Sequence, residues 1–126
     1  MLFSIDYRSR EPIYEQLYHS VIQMLSLGVL ETGQQLPPVR QLAAELGINP
    51  NTVSKAYKNL ENDGIICSVV GKGSFIAENH DVIDGKKEEL LKSVTENLTQ
   101  AHRMGIAQTE IQAIIRRIYN GGGNTL

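Results

Sequence analysis

Cysteine is almost missing from this chain of 126 residues, in which Cys67 stands alone. No internal disulfide can form, and a single cysteine without a companion histidine cluster fits a small core residue better than a nucleophile or metal ligand. A reducing compartment is expected. Histidine is as sparse: His19, His80 and His102 are each isolated, with no second histidine or carboxylate at a ligand spacing, so no metal site is predicted. The sequence also lacks a nucleophile and base pair and any cofactor fingerprint, which argues against an enzyme and leaves no cofactor to expect. Gly71-Lys72-Gly73 is not a phosphate-cradling loop, because neither the glycine spacing before the lysine nor the residue after it matches one.

Long apolar runs are missing too. None approaches the roughly 18 residues of a membrane span, and Met1-Leu2-Phe3-Ser4-Ile5-Asp6 has neither the basic opening nor the apolar length of a signal peptide. The expected location is the cytosol, with no membrane partner. Hydrophobic residues make up 41% of the chain, enough for one modest core or for a domain of roughly 75 residues with a short appendage. Positive charge shows no surplus: 12 Lys and Arg stand against 14 Asp and Glu, a formal net charge of −2. That balance counts against nucleic-acid binding, since such domains usually carry a basic excess.

What is present is most informative in residues 47–64, which read as one helix with both ends marked. Asn49 can cap the first free amides, Pro50 suits the first helical position, and Gly64 can take the left-handed turn that stops the helix. Val53, Ala56, Tyr57 and Leu60 recur at i, i+3, i+4 and i+7 and should pack inward. Asn51, Thr52, Lys55, Lys58 and Asn62 occupy the opposite face, with no acidic residue before Glu61. Such a face has the chemistry of a major-groove reader, because asparagine can bond adenine in bidentate fashion and lysine can reach guanine or phosphate. An ordinary surface helix would look the same in isolation. The charge distribution favours the first reading: Arg40, Lys55, Lys58 and Lys72 gather around this helix, whereas Asp6, Glu11, Glu15 and Glu31 precede it. A local field is what steers a duplex. Few phosphate contacts, and weak non-specific binding as a monomer, follow from the small number of cations.

Phe3, Ile5 and Tyr7 alternate with polar residues and suggest a short extended arm lying on the domain. From Pro12 a helix is predicted, with Ile13, Leu17, Val21, Met24 and Leu25 as its apolar stripe and Gly28 as its end. Residues 29–37 form a turn-rich connection anchored by Leu30 and Leu36. A short helix follows, with Val39, Leu42, Ala43 and Leu46 inward and Gly47 breaking it. Two helices joined through Gly47-Ile48-Asn49 have the form of a helix-turn-helix, although plain helical bundles contain such pairs as well. After Gly64, residues 65–70 and 74–77 are two β-rich runs around Gly71-Lys72-Gly73, the pattern of a hairpin. Three helices and a hairpin make a winged helix-turn-helix with Lys72 at the wing tip, where flanking glycines let backbone approach a phosphate or the minor groove. A merely tight turn is the alternative.

Taken together, Pro12-Ile13-Tyr14-Glu15-Gln16-Leu17, Gly33 with Leu36-Pro37-Pro38-Val39-Arg40-Gln41-Leu42-Ala43, Asn49-Pro50-Asn51-Thr52-Val53-Ser54-Lys55-Ala56-Tyr57, Leu60-Glu61, Gly64-Ile65 and Gly71-Lys72-Gly73-Ser74-Phe75-Ile76 resemble the DNA-binding domain of GntR-family bacterial transcription regulators. The resemblance covers residues 12–77. It implies a winged helix-turn-helix that binds palindromic double-stranded operators as a homodimer. By position, Arg40 corresponds to the arginine of the family's Leu-Pro-Ser-x-Arg-x-Leu-Ala motif, aimed at DNA from the start of the second helix. Asn51, Thr52 and Lys55 match recognition-helix contacts, and Lys72 with Gly73 matches the wing. Ser54, Lys58 and Lys72 are expected mainly to hold the phosphate backbone. Pro38 departs from the usual Ser or Thr cap, and Asn51 and Lys55 stand where Arg is frequent in some branches, so the operator preference does not transfer.

The C-terminal residues determine which kind of regulator is expected. Residues 78–85 are polar and weakly patterned, a linker between a domain of residues 1–77 and a two-helix module of residues 86–120. Leu90, Leu91, Val94, Leu98 and Ala101 recur at helical spacing until Gly105. Thr109-Glu110-Ile111-Gln112 looks like a capping box opening a second helix, in which Ile111, Ile114, Ile115 and Ile118 form an apolar strip. Residues 121–126 are a frayed tail. Two such helices cannot enclose their aliphatic surplus between themselves, so a second copy of the chain is expected to cover Leu90, Leu91, Val94, Leu98, Ile111, Ile114, Ile115 and Ile118. Folding back onto the chain's own winged domain is the alternative. So short a tail looks like the YtrA branch of the family, whose members often govern transporter operons, and it shows no effector pocket. The overall expectation is an α+β chain, a winged helix-turn-helix followed by a small two-helix dimerisation module, acting as a transcription regulator, more specifically a repressor. A winged-helix module that binds protein instead of DNA is the second reading, and the near-neutral charge is its best argument.

Overall fold

The computed structural model describes residues 3–78 and 81–121 of the chain. Residues 79 and 80 of the expected linker, His80 among them, and residues 122–126 of the expected tail lie outside the described residues. The chain divides into two compact units, Met1–Asp84 and Gly85–Leu126.

In the first unit the N-terminal arm has no helix or strand, but Phe3 is buried in the core and Ile5 packs against it. Gln16 pins the arm: its Oε1 accepts from the Asp6 amide at 2.9 Å, and its Nε2 donates to the carbonyls of Asp6 and Glu11 at 3.0 and 2.9 Å. Tyr7, the third apolar position of the expected alternation, is exposed in a turn. Helix α1 (Ile13–Ser26) starts behind Pro12 and buries Leu17, Val21 and Met24. Helix α2 (Val39–Leu46) starts behind Pro38 without a side-chain cap, as expected from the missing hydroxyl, and Gly47 ends it in the left-handed conformation. Helix α3 (Pro50–Asn62) has both predicted ends: Asn49 Oδ1 accepts from the Asn51 amide at 2.8 Å, and Gly64 has a φ of +75°. Val53, Ala56 and Leu60 are fully buried, and α3 packs against α1, α2 and the first strand of the hairpin.

That hairpin is β1 (Ile66–Val69) and β2 (Gly73–Ile76), antiparallel with Ile66 opposite Ile76 and Val69 opposite Gly73. The strands are shorter than the expected runs, and Gly73 belongs to a strand rather than to the turn. Ile66 faces the core, so strand alternation turns its neighbour Cys67 outward. The expectation of a core cysteine is thus corrected: Cys67 is an exposed free thiol. The connection before α2 does more than turn. Leu30 and Leu36 are buried as expected, but residues 33–36 also run beside β2, with a bridge between Gln35 and Phe75. The Gly33 and Leu36 amides donate to the Ile76 and Ser74 carbonyls, each at 2.9 Å, and the Ile76 amide donates to the Gln34 carbonyl at 2.8 Å. The wing therefore has a third, short neighbour.

Helix α4 (Asp81–Arg103) begins earlier than the sequence suggests, so residues 81–85 are helical and not a linker. The reason lies in Ile83, which is buried in the first unit's core, and in Asp81 and Asp84, whose charges suit the first turn of a helix. Gly105, at φ +80°, reverses the chain. Helix α5 (Gln108–Tyr119) then starts behind Ala107, whose carbonyl accepts from the Glu110 amide at 3.0 Å. Thr109 lies inside the helix, so the expected capping box does not form. None of α5 is buried, and Leu90, Leu91, Val94, Leu98, Ile114, Ile115 and Ile118 are all exposed; Ile111 is half-buried.

Candidate nucleic-acid interface

The candidate surface is built on α3, because burial of one side dictates what the other side presents. With Val53, Ala56 and Leu60 inward, Asn51, Ser54, Lys55 and Lys58 are exposed. Thr52, expected on the same outer face, is half-buried because it lies one turn before Ala56 on the flank of the apolar stripe. The helix begins at Pro50, so the positive end of its dipole lies beside Asn51, while the Asn51 and Thr52 amides themselves are taken up by Asn49.

Two bonds fix α3 in its surroundings. The buried Tyr57 hydroxyl donates to the Pro37 carbonyl at 2.6 Å, which ties α3 to the connection leading into α2. Desolvation by burial pushes the Tyr57 phenol well above its ordinary value, so it stays a donor at every physiological pH. At the other end Glu61 Oε2 accepts from the Ser68 amide at 3.0 Å and fastens α3 to β1. Arg40, in the first turn of α2, is exposed, as is Lys72 in the connection between the strands. None of the described carboxylates forms an ion pair with Arg40, Lys58 or Lys72, so these cations are open to an external anion. The expected site residues thus come from α2, α3 and the wing of one unit.

The wing is held by a residue that the sequence did not single out. Gln35 Nε2 donates to the Lys72 carbonyl at 2.8 Å, clamping the base of the turn. Gly73 makes this approach feasible: its φ is +117°, and a Cβ there would lie 2.7 Å from Gln35 Nε2. Gly73 is therefore a packing position whatever it contacts outside. Gly73→Ala is expected to cost roughly 1 to 3 kcal/mol through backbone strain and displacement of Gln35. Thermal unfolding measures this, and an unchanged melting temperature would show that the wing base is not so constrained. Val70, two residues before Lys72, is fully exposed and gives the turn an apolar tip that sequence reading also missed.

Beside α3, α1 contributes Tyr14, whose ring centroid is 3.9 Å from Lys55 Nζ. An open groove of about 420 Å³ runs along this side, lined by Tyr14, Glu15, Tyr18, His19, Asn59, Asn62 and Asp63. The Tyr18 hydroxyl donates to Asp63 across it, joining α1 to the end of α3. His19 is exposed and has a carboxylate neighbour: Glu11 Oε2, from the segment before α1, lies 2.8 Å from its Nδ1. Among the described residues no group of three or more His, Cys, Asp or Glu could hold a metal ion.

Comparison with known proteins follows the same outline. Residues 13–76 match the family described as bacterial regulatory proteins, gntR family. The HTH-type transcriptional repressor YtrA of Bacillus subtilis (strain 168) is 37% identical over 119 residues, which span 93% of this chain and 92% of the relative. Among solved structures, a transcriptional antiterminator from Listeria monocytogenes EGD-e superposes with a TM-score of 0.73 at 34% identity, over 94% of this chain and 90% of that one. The AraR DNA-binding domain in complex with operator ORE1 has a TM-score of 0.51 at 27% identity, over 60% of this chain and 95% of that one.

Proposed function

Because the chain belongs to the gntR family of bacterial regulatory proteins, we propose that it is a sequence-specific DNA-binding transcription regulator, a cytosolic homodimeric repressor of a palindromic operator. The observation that carries this reading is the two-sided α3. Its apolar side is fully buried, while Asn51, Ser54, Lys55 and Lys58 are left outside with no acidic residue before Glu61. Asn51 and Lys55 have the donors to read base edges, with Arg40 and Thr52 at or near them; Ser54, Lys58 and Lys72 have the reach and chemistry to hold phosphates. The similarity to a protein named as a repressor and to a domain solved with an operator supports the same reading.

The symmetry argument comes from the second unit. Its exposed aliphatic side chains match the composition of an interface between copies, and twofold pairing presents α3 twice. Selection of bound duplexes from a random pool tests the whole reading. The enriched sequences are expected to share an inverted repeat whose half-sites lie about 34 Å apart, one turn of the duplex, or a multiple of it. Binding to them should weaken steeply as salt rises, in proportion to the phosphates neutralised. Failure to enrich any sequence would refute the DNA reading. The net charge of −2 would then favour the alternative, a winged-helix surface for a protein partner, whose binding is insensitive to salt.

A further inference from the structure

Lys55 is exposed, yet its ammonium has a defined resting place. The Nζ stands 3.9 Å from the centroid of the Tyr14 ring, inside the range of roughly 6 Å over which the negative face of an aromatic ring attracts a cation. Tyr14 is on α1, outside the helix that carries Lys55, and it is half-buried and packed against the core. The platform is fixed by packing, whereas a lysine on a four-carbon stem is otherwise among the side chains with most rotamer freedom to lose. The kind of partner matters as much as the contact. A carboxylate in this place would cancel the charge and set an anion against the phosphates, but an aromatic face leaves the ammonium its full charge and donors for an external acceptor. Lys55 also lies one turn after Asn51 on the exposed side of α3, so wherever the ring holds it, it is held beside that asparagine.

We propose that Tyr14 is a positioning residue for Lys55: the ring on α1 keeps the ammonium at one place beside the reading helix before DNA arrives, and so favours the specific complex over non-specific ones. The inference rests on the DNA-binding reading above and deepens it by adding a residue that need not touch the duplex. Preorganisation of this kind raises affinity by lowering the entropy lost on binding.

The test is a double-mutant cycle in the full-length protein. Binding is measured to a duplex from the selection and to an unrelated duplex for wild type, Tyr14→Phe, Tyr14→Leu, Lys55→Ala and the Tyr14→Leu, Lys55→Ala pair. Tyr14→Leu is expected to weaken binding to the selected duplex by about two- to fivefold, the size of an exposed cation–π contact, and to leave binding to the unrelated duplex unchanged. Tyr14→Phe keeps the ring and should behave as wild type, which separates the aromatic face from the hydroxyl, which donates to Glu15 Oε1 at 3.3 Å. In the Lys55→Ala background Tyr14→Leu should add nothing. Nuclear magnetic resonance of the free wild-type protein, which requires no variant to fold, should show the Lys55 Hε signals displaced upfield by the ring. An undisplaced signal, or an equal loss from Tyr14→Leu with and without Lys55, overturns the proposal. If wild type prefers no duplex at all, the DNA reading itself falls and this inference with it; if wild type discriminates but the cycle is additive, this inference falls alone.

Discussion

Replacing Leu98 and Ile115 together by glutamate is expected to convert the protein to a monomer and to weaken operator binding by roughly a hundred- to ten-thousand-fold, the gain that a second linked contact supplies. Leu98 on α4 and Ile115 on α5 are 41% and 46% exposed, and they stand among Leu90, Leu91, Val94, Ile114 and Ile118, all open to water. Aliphatic surface of this density gains free energy when a second copy covers it, and twofold pairing lets the same patch serve both partners. Two carboxylates per chain at the centre of such a patch would have to be buried next to those of the partner, which is prohibitive without compensating cations. Both positions are in helices, where glutamate is a good helix former, so the circular dichroism should be retained. Light scattering and a mobility-shift titration check the two halves of the result. A dimer that survives both glutamates would place the interface elsewhere.

Leu60→Ala should produce the largest loss of stability, about 2 to 5 kcal/mol. Leu60 is fully buried on the helix that packs against α1, α2 and β1, so the cavity is walled by elements that cannot all move inward. For a unit of this size each kcal/mol shifts the midpoint by about 4 to 8 °C, and the melting temperature should fall by about 10 °C or more. Well below that midpoint, affinity for the selected duplex should remain near wild type, because Leu60 faces away from Asn51 and Lys55. Substitution of the exposed residues Asn51 and Lys55 is expected to do the opposite, lowering affinity without lowering stability. An unchanged melting temperature for Leu60→Ala would mean that α3 is not the centre of the core.

The features that were legible in the sequence are those written locally. Asn49 and Pro50 at one end of α3, Gly64 at the other, and the spacing of Val53, Ala56 and Leu60 act within one or two turns, and the structure reproduces each. Contacts between residues distant in the chain were not legible. Gln35 and Lys72 are 37 positions apart, and Tyr14 and Lys55 are 41 apart, so no periodicity links either pair. The start of α4 was hidden for a related reason. A short polar stretch with Asp81, Asp84 and Gly85 reads as a linker until Ile83 is seen to reach a core made by other elements. At α5 the local signal itself misled: Thr109 with Gln112 has the spacing of a capping box, but the reversal at Gly105 lets the helix begin two residues sooner, behind Ala107.

Two bonds that help secure α3, from Tyr57 to Pro37 and from Ser68 to Glu61, draw on its inner side and its last turn. Asn51, Ser54 and Lys58 take no part in either bond or in the core, and Lys55 only leans on its neighbour. Scaffold and address are thereby separable. Exchanges at those exposed positions can therefore change what the surface recognises while the fold beneath it stays as it is.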